Sequence, residues 1–160
     1  MRGVPGAKWR PRENLHLTLR FFGEVAEPVA DDIDGALGEA AEANAPFELA
    51  LKSAGSFGGA DPHALWIGAA ESEPLKKLAA GCERAARRAG LKPESRKFTP
   101  HVTLAYLARA PLDRVQAFEQ RLGLFEAPPF RVESFGLYSS WTRRSAPSLY
   151  RLEAEYPLRG

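Results

Sequence analysis

Two stretches decide how this chain folds: NLHLTLRFFG, residues 14–23, and TPHVTLAYLA, residues 99–108. In the first, Leu15, Leu17, Leu19 and Phe21 alternate with His16, Thr18 and Arg20. Residues two apart share one face of an extended strand, so this period predicts a strand with its leucines in the core and the polar triplet opposite. The second stretch repeats the pattern with His101 and Thr103, and Val102 points the other way as the anchor. A His-x-Thr pair on a strand's polar face, written twice, means either two sites or one site built from two copies.

Working outward, Glu27 to about Ala43 has Val29, Ile33 and Leu37 at helical spacing and reads as a surface helix ending near Asn44 and Pro46. A strand over 47–54, a Gly-rich turn or loop over 55–62 and a strand over 64–69 follow, then a basic helix from Pro74 that Gly90 stops. After 91–100 the order starts again, with a strand at 101–107 and a short helix at 112–122. Pro129-Phe130 echoes Pro46-Phe47, Ser134-Phe135-Gly136 echoes Ser56-Phe57-Gly58, and Leu149-Tyr150 echoes Leu65-Trp66, at offsets of 78 to 85 residues. A strand-helix-strand-strand unit that persists while its loops vary gives such offsets. The fold class expected is therefore α+β: two pseudo-symmetric lobes of mainly antiparallel sheet with flanking helices around a central cleft, residues 1–160 forming one bilobal domain.

Composition sets the boundaries. A chain of 160 residues with 44% hydrophobic and 26% charged residues suits a soluble globular protein, which at this size buries about two-thirds of its unfolded surface. Cys82 is alone, so no intramolecular disulfide forms, and a buried thiol in a reducing cytoplasm is expected. The N-terminus has no apolar signal region and no run approaches the roughly 18 apolar residues that span a bilayer. The expected location is cytoplasmic, with no membrane association. A net charge of +2 does not by itself point to nucleic acid, so the clusters Lys8, Arg10, Arg12 and Arg143, Arg144 matter only if they face one cleft.

A His and a Thr about 6.5–7 Å apart on one strand face can touch a single bound group. Imidazoles titrate near neutrality in general, so of two on opposite sides of a phosphodiester one can accept a proton while the other donates. Threonine hydroxyls can donate hydrogen bonds to the non-bridging oxygens, where charge concentrates during attack. No acidic or Cys residue stands at ligand spacing beside His16 or His101, and GxSxG, GxxxxGK[ST] and GxGxxG are all absent. His63, in GGADPHALW, lacks the His-x-Thr context and reads as a loop residue.

With these residues in view, PRENLHLTLRFFGEV and KFTPHVTLAYLAR resemble the paired H-x-T-x motifs of the 2H phosphoesterase superfamily. They are most similar to the RNA 2′,3′-cyclic phosphodiesterases, also called 2′-5′ RNA ligases. AKW, LWIG and the closing SLYRLEAEYPL extend the resemblance over nearly the whole chain. It implies metal-independent opening of RNA 2′,3′-cyclic phosphate ends to 2′-phosphates, and reverse 2′-5′ joining by microscopic reversibility. His16 would be the proton donor, His101 the acceptor that activates water, and Thr18 and Thr103 the phosphate-binding residues. The substrates implied are RNA ends or small cyclic nucleotides. No cofactor, metal or obligate protein partner is implied.

Two departures from the family pattern stand out. Family members usually begin with another strand and helix before the position of Arg2 to Gly6, which this chain lacks, and Tyr106 stands where H-x-T-L-A-R would place arginine. RNA or phosphate contacts then have to come from elsewhere, with Arg20 and Arg109 the candidates. Phe57, Tyr106, Trp141 and Tyr150 are the aromatics that would stack a terminal base. These departures also leave room for a second reading, a catalytically impaired RNA- or nucleotide-binding module of the same fold.

Overall fold

The computed structural model describes residues 3–160, which form two compact units, each assembled from both halves of the sequence. The first comprises residues 3–18, 50–70 and 99–129; the second comprises 19–49, 71–98 and 130–160.

The first unit contains β1 (Ala7–Trp9), β3 (Leu51–Phe57), β4 (Ala64–Ala69), β5 (His101–Leu107) and α3 (Leu112–Leu122). Its strands form one antiparallel sheet in the order β1-β5-β4-β3. One sheet face carries the core: Leu65, Ala105, Val115 and Phe118 are buried together with Val4, and Ala54, Leu104 and Leu107 pack against them. Burying such an apolar set against a helix is what holds a four-stranded sheet in water.

A bulge in this sheet shapes everything on its other face. Trp66 pairs with Thr103 and Leu65 with Ala105, so Leu104 is an extra residue on β5. Leu104 and Ala105 both turn to the core, and the alternation restarts one residue late. His101, Thr103 and Tyr106 therefore share the face opposite α3, with Trp66 and, across β1, Lys8.

The second unit contains α1 (Glu27–Glu42), α2 (Glu73–Arg88), the pair β2 (Phe47–Leu49) with β6 (Phe130–Val132), and the pair β7 (Ser134–Trp141) with β8 (Leu149–Pro157). Ile33, Leu37 and Ala40 of α1 and Leu75, Leu78, Cys82 and Ala86 of α2 are buried. Ser72 caps α2, its Oγ accepting from the Leu75 amide at 3.2 Å, and Gly90 follows the helix at φ +95°, a conformation glycine adopts at no steric cost. The Tyr156 hydroxyl donates to Asp34 Oδ1 at 2.5 Å and ties β8 to α1.

The α+β reading holds, since among the described residues three α-helices accompany sheets whose pairings are all antiparallel. No helix among the described residues is long and apolar enough to cross a membrane. Three local expectations are corrected. Residues 15–22 form no regular strand, only one bridge at Leu17, and Leu15 and Phe21 are exposed rather than in the core. The chain runs along β5 through β1 and Arg10, but Pro11 has no N–H to give and the 3₁₀ turn Arg12–Asn14 lifts the backbone away until Leu17 returns. The single strand expected over 47–54 is two, because β2 pairs with β6 and β3 with β4. The loop expected from Gly55 starts three residues later, since β3 continues to Phe57.

Candidate active site

The two His-x-Thr motifs meet in the first unit, where Leu17 bridges Val102 in antiparallel register. The antiparallel bridge brings His16 level with Thr103 and Thr18 level with His101. In a regular antiparallel pair, directly opposed residues have Cβ atoms about 4.5–5.5 Å apart, close enough for their side chains to touch one bound group.

Both imidazoles are oriented by the same device. His16 Nδ1 lies 2.7 Å from the carbonyl oxygen of Asn14, and His101 Nδ1 lies 2.6 Å from that of Thr99. A carbonyl can only accept, so each Nδ1 carries the proton, and in the neutral ring Nε2 holds the lone pair. Each ring leans toward its own N-terminal side. In an antiparallel pair those directions diverge, so the two rings lean away from each other along the bridge.

Aromatic rings border His101. Phe57 meets it edge-on with centroids 4.9 Å apart, and Trp66 lies 6.4 Å away. Trp66 can lie across the sheet because position 55 is glycine: a Cβ there would fall 2.3 Å from the indole. The indole N–H of Trp66 is buried without a hydrogen-bond partner. Sequence reasoning placed Gly55 in a loop and gave Trp66 no role; the apolar run 64–69 hid a residue whose ring crosses to the polar face. Phe57 also packs on His63, just before β4.

The remaining candidates are distributed as follows. Arg20, in the second unit, is committed to protein: its Nε and Nη2 donate to the Glu83 carboxylate at 3.2–3.3 Å, and Nη2 also donates to the Lys92 carbonyl at 2.7 Å. Burial alone pushes the Glu83 carboxyl up, but the Arg20 hydrogen bonds, the Glu94 amide and the charges of Arg20 and Arg87 outweigh it and hold the group below its ordinary range. Arg109, exposed at φ +53°, turns the chain between β5 and α3. Tyr150 lies in β8 of the second unit opposite Ser140. Among the described residues, no group of three or more His, Cys, Asp or Glu is gathered that could hold a metal ion.

Residues 1–143 match the family model of the 2′-5′ RNA ligase superfamily. The chain belongs to that superfamily. Within it, the chain is 35% identical over 158 residues to the RNA 2′,3′-cyclic phosphodiesterase of Aeropyrum pernix, covering 95% of this chain and 88% of that one. It is 30% identical to the Aquifex aeolicus protein of the same name, over 96% of this chain and 82% of the relative. The crystal structure of TT0787 from Thermus thermophilus superposes with a TM-score of 0.79 at 28% identity, covering 98% of this chain and 84% of that one.

Proposed function

We propose that the protein is an RNA 2′,3′-cyclic phosphodiesterase that opens the cyclic phosphate to a 2′-phosphate by acid–base catalysis between His16 and His101. The observation supporting this reading is the Leu17–Val102 bridge together with the matching Nδ1 contacts, which bring the two motifs side by side and orient both imidazoles in the same way.

In the proposed step a phosphate lies over Thr18 and Thr103, whose hydroxyls donate to its non-bridging oxygens. Water attacks phosphorus as its proton passes to His101 Nε2. The bond from phosphorus to the 3′ oxygen breaks as His16 Nε2–H protonates that oxygen, leaving a 3′-hydroxyl and a 2′-phosphate. Placing base and acid at opposite ends suits in-line displacement, in which entering and leaving oxygens lie on opposite sides of phosphorus. A 5′-hydroxyl in place of water would form a 2′-5′ linkage by the same proton transfers. The cytoplasm, where RNA ends are processed, is the proposed setting.

Hydrolysis of a nucleoside 2′,3′-cyclic phosphate in the presence of EDTA tests the reading. Expected is a 2′-monophosphate product whose formation survives chelation. Binding without turnover would instead support the impaired binding module, and EDTA-sensitive turnover would require a metal.

A further inference from the structure

The face that carries His101 and Thr103 continues along β5 to Tyr106, and there the sheet assembles a second group of side chains. Lys8 stands directly across from Tyr106 in the β1–β5 register. The Arg10 guanidinium lies over the Tyr106 ring, its central carbon 5.1 Å from the centroid. Trp9, between them, points the other way and meets Phe118 of α3 at 6.4 Å, which fixes Lys8 and Arg10 on the motif face. The Arg10 amide donates to the Leu104 carbonyl at 2.7 Å, so the backbone under the guanidinium is anchored at the bulge itself.

We propose that Arg10, held over Tyr106 with Lys8 beside it, binds an RNA phosphate on the 5′ side of the terminal cyclic phosphate and so makes the enzyme select RNA ends over mononucleotides. This rests on the function proposed above. Stacking occupies the flat face of a guanidinium and leaves its N–H edge directed outward, the geometry that grips a phosphate. Among the described residues, no carboxylate forms an ion pair with Arg10 or Lys8, in contrast to Arg20, which Glu83 takes up. Thr103 and Tyr106 are three residues apart along β5, roughly 7–10 Å, which exceeds the size of one phosphate group. The cation at Tyr106 therefore meets a different phosphate from the one over the threonines. The reacting phosphate ends the chain, so the next lies to its 5′ side. Where the family motif would carry its arginine on β5, this chain carries tyrosine there and offers the guanidinium from β1.

The test compares kcat/KM for a nucleoside 2′,3′-cyclic phosphate with that for a short oligoribonucleotide ending in the same cyclic phosphate. Wild type should favour the oligonucleotide; Arg10→Ala should reduce that preference about five- to tenfold, and Arg10→Lys should keep part of it. The salt dependence of the oligonucleotide reaction should lose a slope of about 0.7 in Arg10→Ala, the signature of one single-strand phosphate contact. Arg121→Ala, on α3 and outside the site, is the control expected to match wild type. An Arg10→Ala enzyme with wild-type preference and salt slope overturns the proposal; if it does not fold, Arg10→Gln is read the same way. Should wild type hydrolyse neither substrate, the proposed activity fails while the subsite is still decided by fluorescence anisotropy. About fivefold weaker oligoribonucleotide binding in Arg10→Ala then supports it, and equal affinity sinks it.

Discussion

Leu17 pairs with Val102, and this one bridge brings together two motifs 85 residues apart in the sequence. His16→Ala and His101→Ala should each lower kcat for cyclic phosphate hydrolysis by about 10²–10⁴, the usual worth of a positioned acid or base. Thr18→Ala and Thr103→Ala, each removing one of the proposed hydrogen bonds to the phosphate, should cost about tenfold in kcat/KM. At a pH where both rings are uncharged, nitrogen NMR should find the single ring proton on Nδ1 in each, because each Nδ1 faces a backbone carbonyl. A His variant that keeps wild-type turnover while folded would remove that residue from the mechanism.

Position 55 gives a second prediction. A methyl group at Gly55 would land 2.3 Å from the Trp66 indole, which also lies near Gly68 and His101. Gly55→Ala should lower stability by about 1–3 kcal/mol, as overpacking does, and shift the tryptophan fluorescence as the indole moves. Trp66→Leu added to Gly55→Ala should recover part of the loss, measured by denaturant unfolding. Full additivity of the two substitutions would mean that the ring and the new methyl do not collide.

Much of this architecture was legible in the sequence. The strands at 64–69 and 101–107 and the helix at 112–122 stand where apolar periodicity and the flanking Gly and Pro residues placed them. Residues 15–22 misled because alternation reports which side chains differ in polarity, not whether the backbone finds a partner. Pro11 and the Arg12–Asn14 turn broke the pairing that the leucines advertised. The sequence pattern singles out the two His-x-Thr pairs but not their neighbours: a bulge at Leu104 moves Tyr106 onto the face of His101 and Thr103, and no local pattern announces a register shift. Arg20 shares the polar period of His16 and Thr18, yet a carboxylate 63 residues away captures it.

Cys82 is buried in α2, and burial pushes its thiol up to about 12. Since the thiolate is the reactive form, native protein at pH 8 should resist a thiol-specific reagent such as dithiobis-nitrobenzoate and react stoichiometrically once unfolded in guanidinium. Rapid labelling of the folded protein would show that α2 opens readily. Cys82→Ser, which puts a hydroxyl into the same apolar place, should destabilise by about 1–3 kcal/mol.

The Arg20–Glu83 pair predicts a pH dependence of stability with a definite sign. Glu83 ionises below its usual 4.5 in the folded chain, so between the folded and unfolded values the unfolded state binds more protons and stability rises with pH. The contribution is complete above about pH 5 and disappears as pH falls through the folded value. Arg20 and Glu83 side chains are only 10% and 21% exposed, so solvent screens the pair incompletely. Glu83→Gln should therefore cost about 1–2 kcal/mol at pH 7, and the gap to wild type should narrow steadily toward pH 3 in urea titrations. A gap independent of pH would assign the loss to the Glu94 amide contact, which a neutral side chain also weakens, rather than to the charge on Glu83.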